Sequence, residues 1–253
     1  MIQARLDSSR LPKKVLAKIQ GKPIIWHVIN RVKKIKNIEQ IVLITSESNK
    51  ILLGIAKQQN ISSFVGSEND VLKRHYDCAV KFQADPIIRI TSDCPLIDPK
   101  ISSDILQFYL NNNYDYVSNT INPTFPDGLD TEIFSFNALQ KAHLQSKLYS
   151  EREHVTSYFT KKPKKFRLYN FKNNIDLSNH RWTVDQKEDL TFVRAIYSRM
   201  KPKTIFYMED IMRIIRKESQ LLKINSGITR NEGYLKSLKN DQLQEKLEKH
   251  EKN

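Results

Sequence analysis

Three short stretches carry residues whose types and spacing could do chemistry. In ARLDSSRLPKK (4–14), Arg5, Arg10, Lys13 and Lys14 surround Ser8, Ser9 and Pro12. Cations, hydroxyls and backbone N–H groups gathered in one loop are the donors that a phosphate chain needs. The loop is neither a Walker loop, since Gly-x-x-x-x-Gly-Lys-Ser is absent, nor a dinucleotide fingerprint. An exposed polar loop with ordinary surface cations would carry the same residues. In TSDCPLIDP (91–99), Asp93 offers a hard carboxylate oxygen that can hold Mg²⁺ against phosphate, or can cap a turn. Asp98, followed by Pro99, reads instead as the start of the next helix. In RWTVDQKEDL (181–190), Asp185 lies between a predicted strand and a predicted helix, a place for a second carboxylate ligand. With Glu188 three residues on, it also makes an Asp-type capping box.

The elements that must position these stretches alternate. Strand-like runs at Ile2–Arg5, EQIVLIT, ISSFVG, PIIRIT and YDYVSN are separated by helical patterns in GKPIIWHVINRV, SNKILLGIAKQQ, SENDVLKRHYDCAVKF (Ser67 its expected cap) and KISSDILQFYLNNN. This βαβα order predicts a three-layer α/β fold around a mostly parallel sheet. Such sheets bind ligands beyond the carboxyl ends of their strands, here after Arg5, Thr45, Thr91 and Asn119. Two of the three stretches lie there. The second half is mixed. LDTEIFSF reads as an antiparallel strand, SFNALQKAHLQSKL and EREHVTSYFTKK as helices, KFRLYNF and RWTV as strands, and QKEDLTFVRAIYSRM and MEDIMRIIRKESQLL as helices. One domain over 1–225 is expected, followed by a charged tail, 226–253, that is partly helical or disordered.

The chain has 253 residues, 39% of them hydrophobic, enough for a substantial core. No apolar run is long enough to cross a bilayer and no signal-peptide layout precedes the first strand, so a cytoplasmic protein is expected. Cys78 and Cys94 form neither a metal-ligand spacing nor a disulfide framework, which fits a reducing compartment. A formal charge of +14 calls for an anionic partner: nucleic acid, a membrane surface or a phosphate-rich substrate. In a Lys- and Asn-rich chain with only six glycines, total charge discriminates less than its position.

ARLDSSRLPKKVL resembles the signature of the cytidylyltransferase family typified by the CMP-Kdo and CMP-sialate synthetases, specifically its spore-coat-polysaccharide branch. DVLKRHYDCA, RITSDCPLIDP, PDGLDTEIFSF, EREHVTSYF and RWTVDQKEDL resemble further blocks of that branch, in its order, over roughly residues 1 to 195. The resemblance implies a single GT-A-like nucleotidyltransferase domain with a small antiparallel dimerisation or substrate extension. It implies transfer of CMP from CTP to an acidic or otherwise unusual sugar with Mg²⁺, release of pyrophosphate, and a homodimer. Residue by residue, Arg5, Ser9 and Thr91 fall on nucleotide-binding positions, Arg10 and Lys14 on the catalytic cations, and Asp93 and Asp185 on the metal carboxylates. Asp127, Asp130 and Glu132 (with Gly128), and Arg152, Glu153 and His154, fall on the sugar side. His154 is the candidate should a base be needed, although a lone helical histidine is more often a packing residue.

The chain departs from the family pattern at three places. Lys13 and Ser92 stand where relatives have glycine; if the first glycine serves a positive φ, lysine there costs about 1 kcal/mol. Relatives also carry several more strand residues before Ile2, so a short central strand is expected to leave its neighbours with unpaired backbone groups. A GT-A glycosyltransferase would share the fold but use Asp-x-Asp at its metal, and SDCP supplies one of those carboxylates. A nucleic-acid-binding protein would place cations among exposed aromatics, for which KKPKKFRLYNF (161–171) is the candidate. A catalytically inactive scaffold is the third alternative.

Overall fold

In the computed structural model, which describes residues 1–8 and 10–250 (side chains to 243), a two-residue strand sits in the middle of the sheet. This is β1 (Ile2–Gln3), and Ile2 is fully buried. It pairs in parallel with β4 (Val42–Ser46) on one side and β6 (Ile87–Thr91) on the other. Ile90 N donates to Met1 O, Ala4 N to Ile44 O and Ser92 N to Gln3 O, each at 3.0 Å, which lengthens the ladder beyond the formal strand. A cavity of about 530 Å³ lies at its amino-terminal end, where Met1, Val42, Phe82, Ile87 and Leu106 are among the lining residues, and the Met1 amino group donates to Ile88 O (2.7 Å).

Between these strands lie the antiparallel pair β2 (Lys18–Ile19) and β3 (Lys22–Pro23), which turns the chain into α1 (Ile24–Val32). After β4 come α2 (Lys50–Gln58), β5 (Ser62–Gly66) and α3 (Val71–Phe82). α4 (Pro99–Leu110) then leads to β7 (Tyr116–Ser118), β8 (Glu132–Phe134), α5 (Phe136–Gln145), α6 (Tyr149–Glu153), α7 (Ser157–Lys161) and β9 (Leu168–Asn170). α8 (Lys187–Met200), α9 (Met208–Lys217) and α10 (Glu232–His250) complete the chain. The seven-stranded sheet runs β5-β4-β1-β6-β8-β7-β9, parallel except where β8 lies antiparallel to both β6 and β7.

Strand residues alternate between two apolar layers, as period-two side chains must. Val117 and Ile133 join Ile2, Leu43 and Ile90 against apolar residues of α1, α4, α8 and α9. Tyr116 and Phe134 face the other way, against α3, α5 and α7. The α/β, three-layer expectation is met.

Several boundaries differ from the sequence reading. EREHVTSYFTKK is two short helices, because Val155 between them is left-handed at φ 53°. RWTV forms only an isolated bridge, Asp127 to Arg181. α3 is capped by Asp70, whose carboxylate accepts from Lys73 N, while Ser67 Oγ accepts from Asp70 N one step upstream. Before α8 the capping carboxylate is Asp189, which accepts from Gln186 N and Asp185 N, rather than Glu188. Asp98 caps α4 as expected, accepting from Lys100 N and Ile101 N. The charged tail contributes α10, which packs on α6: Asp241 accepts from Ser150 N. The expectation for residues 251–253 lies outside the described residues.

The isolated bridge explains the PDGLD glycine. Asp127 N donates to His180 O (2.9 Å) and Trp182 N to Asp127 O, so two backbones run against each other. Gly128 has φ +106°, and a Cβ there would stand 2.5 Å from Thr183 N and 2.7 Å from Trp182 C. Gly128→Ala is therefore expected to destabilise the protein by about 3 kcal/mol or more, from left-handed strain together with overlap against backbone that cannot give way. Chemical denaturation measures this, and a loss under 1 kcal/mol would mean that the two segments can separate freely.

Candidate active site

The three stretches singled out in the sequence converge at the carboxyl ends of β1 and β6. Lys14 follows a turn in which Lys13 adopts φ 55°, ψ 27°, the left-handed conformation that relatives would meet with glycine. Ser92, the other substituted glycine position, is not left-handed. The turn aims the Lys14 side chain, 10% exposed, into the protein, where Nζ donates to Asp93 Oδ2 at 2.7 Å and to Asp185 Oδ1 at 2.6 Å. Thr183 and Val184 are fastened to the same loop, since Val184 N donates to Asp93 O (2.8 Å). Thr91 stands at the end of β6, 3.3 Å from Cys94 Sγ.

The charges of this centre are interlocked. Arg10 reaches Asp185 Oδ1 (2.8 Å) and Glu232 Oε2 (3.2 Å). Arg181, nearly buried, spans Asp127 (3.0 Å), Asp185 (3.2 Å) and Asp189 (2.9 Å). Burial alone would lower the Lys14 ammonium, but Asp93 and Asp185 outweigh it and hold its pKa above the ordinary value. Burial would raise the Asp93 and Asp185 carboxyls, and Lys14 reverses this, with Arg10 assisting at Asp185; both titrate below the usual carboxylate range. Asp127 and Asp130 behave oppositely. Burial raises both, and mutual repulsion brings Asp130 to about 7.

The sugar-side group divides. Asp127 is linked to Asp185 through Arg181, and Asp130 lies beside it, paired with Arg230. Glu132 is buried, and its carboxylate accepts from Arg89, Tyr116 Oη and Thr156 Oγ1. Arg152 is likewise a clamp between elements, donating to the Asp70 cap of α3 and to His143 O. Arg5 and Glu153 pair with each other at 2.8 Å, Arg5 largely exposed. His154 bonds Ser237 Oγ (2.9 Å) and meets the Tyr234 ring edge-on, and burial, aided by Arg89 and Arg5, pushes its pKa down to about 4. It stands just past the end of α6, held by these two contacts. Ser9 lies outside the described residues. Missed from sequence were Arg181, which opens the RWTVDQKEDL stretch without being singled out in it, and Arg230 and Glu232, which stand in an ordinary polar stretch where no spacing distinguishes them.

Lys14→Ala would leave two carboxylates facing each other in a half-buried site. A loss of about 2–4 kcal/mol is expected at pH 7. The Asp93 pKa is depressed in the wild type, so the pair's contribution is present above the unfolded carboxylate pKa and fades below it. In the variant the carboxyl pKa values rise, and protonation relieves the repulsion. The difference between the two proteins should therefore shrink as pH falls from 7 towards 4. Denaturation at both pH values tests this, and a pH-independent difference would contradict the ion-pair account.

A family model described as Cytidylyltransferase matches residues 1–225. The uncharacterized protein MJ1063 of Methanocaldococcus jannaschii is 33% identical over 235 residues, covering 90% of this chain and 94% of that one. The spore coat polysaccharide biosynthesis protein SpsF of Bacillus subtilis is 29% identical over 79% of this chain and 85% of its own length. The solved structure of a cytidylyltransferase from Leptospira borgpetersenii superposes with a TM-score of 0.85 at 33% identity, over 90% of this chain and 97% of that one. With its βαβ sheet and this charged centre at the strand ends, the chain belongs to the cytidylyltransferase family and is a nucleotidyltransferase.

Proposed function

We propose that the protein transfers CMP from CTP to a hydroxyl of an acidic or otherwise unusual sugar, releasing pyrophosphate, for assembly of a surface polysaccharide or glycan. The observation that carries this reading is the Lys14 ammonium held between Asp93 and Asp185, with Arg10 on Asp185, where the first loop meets the sheet. A new bond forms between the acceptor oxygen and the α-phosphorus, and the bond to the α–β bridging oxygen breaks. Pyrophosphate leaves with that electron pair, and the hydroxyl proton passes to solvent.

Arg10 and Lys14 bind the triphosphate and offset charge growing on the leaving group, which is where a fixed cation is worth most. Asp93 and Asp185 already share one cation through hard oxygens, so the pair also fits Mg²⁺, which takes one or two protein carboxylates and completes its shell with phosphate oxygens and water. When bound there, the ion would polarise the α-phosphate. Arg5, Ser9 and Thr91 belong to the nucleotide side of this reading, and Asp127 and Asp130 to the sugar side. A catalytic domain over 1–225, a homodimer and a cytoplasmic location complete it and rest on the family resemblance.

The basic stretch 161–171 gives a nucleic-acid reading less support. Phe166 is buried in the core, Tyr169 packs on Phe108, and Lys161 pairs with Asp241. A pyrophosphate-release assay with CTP, UTP, GTP and ATP against neutral and acidic sugars tests the proposal. Release is expected with CTP, and Lys14→Ala should lower kcat/KM by about 10²–10³. Normal turnover by that variant would sink the phosphate-loop assignment; tight RNA binding without any release would overturn the function.

A further inference from the structure

Asn225 is the last residue of the family match and 226–241 lie beyond it, yet this segment meets the site at each step. Asn225 Nδ2 donates to Arg181 O (2.9 Å) and to Asp189 Oδ1 (3.1 Å). Glu232, at the start of α10, accepts from Arg10 and from Gln186. Between these two anchors stands Arg230. Its Nη2 donates to Asp130 Oδ1 at 3.1 Å and its Nε lies 3.7 Å from Asp127 Oδ1. The remaining nitrogen, Nη1, is buried and has no hydrogen-bond partner among the described residues.

A guanidinium N–H left unpaired in a buried place costs free energy that a bound oxygen would recover. Two carboxylates and one such donor, side by side, form the pattern that adjacent hydroxyls match: each hydroxyl donates to a carboxylate while its oxygen can accept from the guanidinium. Burial and mutual repulsion raise both carboxyls even with Arg230 beside them, and the Arg230 cation opposes that rise, so the pair keeps more of its charged, hydrogen-bond-accepting form than it would alone.

We propose that Arg230 is a positioning and specificity residue of the acceptor side: it bridges Asp127 and Asp130, holds their carboxylates in place as acceptors for the hydroxyls of a polyol, and presents Nη1 to one acceptor oxygen. This deepens the cytidylyltransferase reading and rests on it. The neighbouring charges fit the role. Asp127 is backed by Arg181, and the triphosphate cations Lys14 and Arg10 are engaged at Asp93 and Asp185, so Arg230 is the cation that touches Asp130.

The test is steady-state kinetics on the full chain, with CTP and whichever sugar of the neutral and acidic panel gives the fastest pyrophosphate release. Arg230→Gln is expected to raise the KM for the sugar about tenfold or more, with the KM for CTP within about twofold and kcat within about threefold. Arg230→Lys should recover part of the loss, because an ammonium can still sit between the two carboxylates although it lacks the planar fork. A merely structural clamp on α10 would raise both KM values together and would not distinguish Lys from Gln. An unchanged sugar KM, or equal rises for sugar and CTP, overturns the proposal while nucleotidyl transfer stands. Absence of release by the wild type with every sugar overturns both.

Discussion

One ammonium group joins the parts of this protein that matter for chemistry. Lys14 comes from the loop after β1, Asp93 from the loop after β6 and Asp185 from the turn before α8, and the three meet within hydrogen-bond distance. Each carboxylate would be costly to enclose alone, and so would the lysine. Their mutual presence makes the enclosed charge tolerable and fixes the spacing of three chain segments. Arg10 and Arg181 extend the same logic outward: Arg10 shares Asp185 Oδ1 with Lys14, and Arg181 takes Oδ2.

The backbone around this centre is correspondingly constrained. A left-handed residue at Lys13 turns the first loop so that Lys14 points inward, a conformation that glycine would adopt without strain. At Gly128 the constraint is steric as well as conformational, because Asp127 must lie close enough to exchange hydrogen bonds with 180–182. Strain and close approach are found where charged groups have to be aimed, while the apolar layers on either side of the sheet use ordinary packing.

Much of this was legible in the sequence. The βαβα order fixed the parallel half of the sheet, because alternation of apolar strands with amphipathic helices has few other solutions. The rule that ligands lie beyond strand ends puts Arg10, Lys14 and Asp93 together from sequence alone, and the Lys13 departure is readable there as a positive φ. What escaped notice depended on long-range contact. Glu132, Arg152 and His154 belong to motif blocks, but their polar atoms meet protein partners that are distant in sequence, such as Arg89, Asp70 and Ser237. Arg181 and Arg230 have no local pattern, since what singles them out is the carboxylates that the fold brings to them. The break at Val155 and the shift of the α8 cap to Asp189 are decided by hydrogen bonds that periodicity does not encode.

The link between Arg10 and Glu232 has a consequence for how the molecule is made. Residues 222 apart in the chain share one ion pair, and Arg230 reaches back a hundred positions to Asp130. Synthesis proceeds from the amino terminus, and contacts of such high sequence separation form late. A nascent chain can therefore assemble the first βαβ units and their apolar layers while its charged centre is still open. Only when the segment carrying Arg230 and Glu232 has left the ribosome can the centre take its final form. The order of translation thus makes the closing of this charged centre the last step that the folding chain completes.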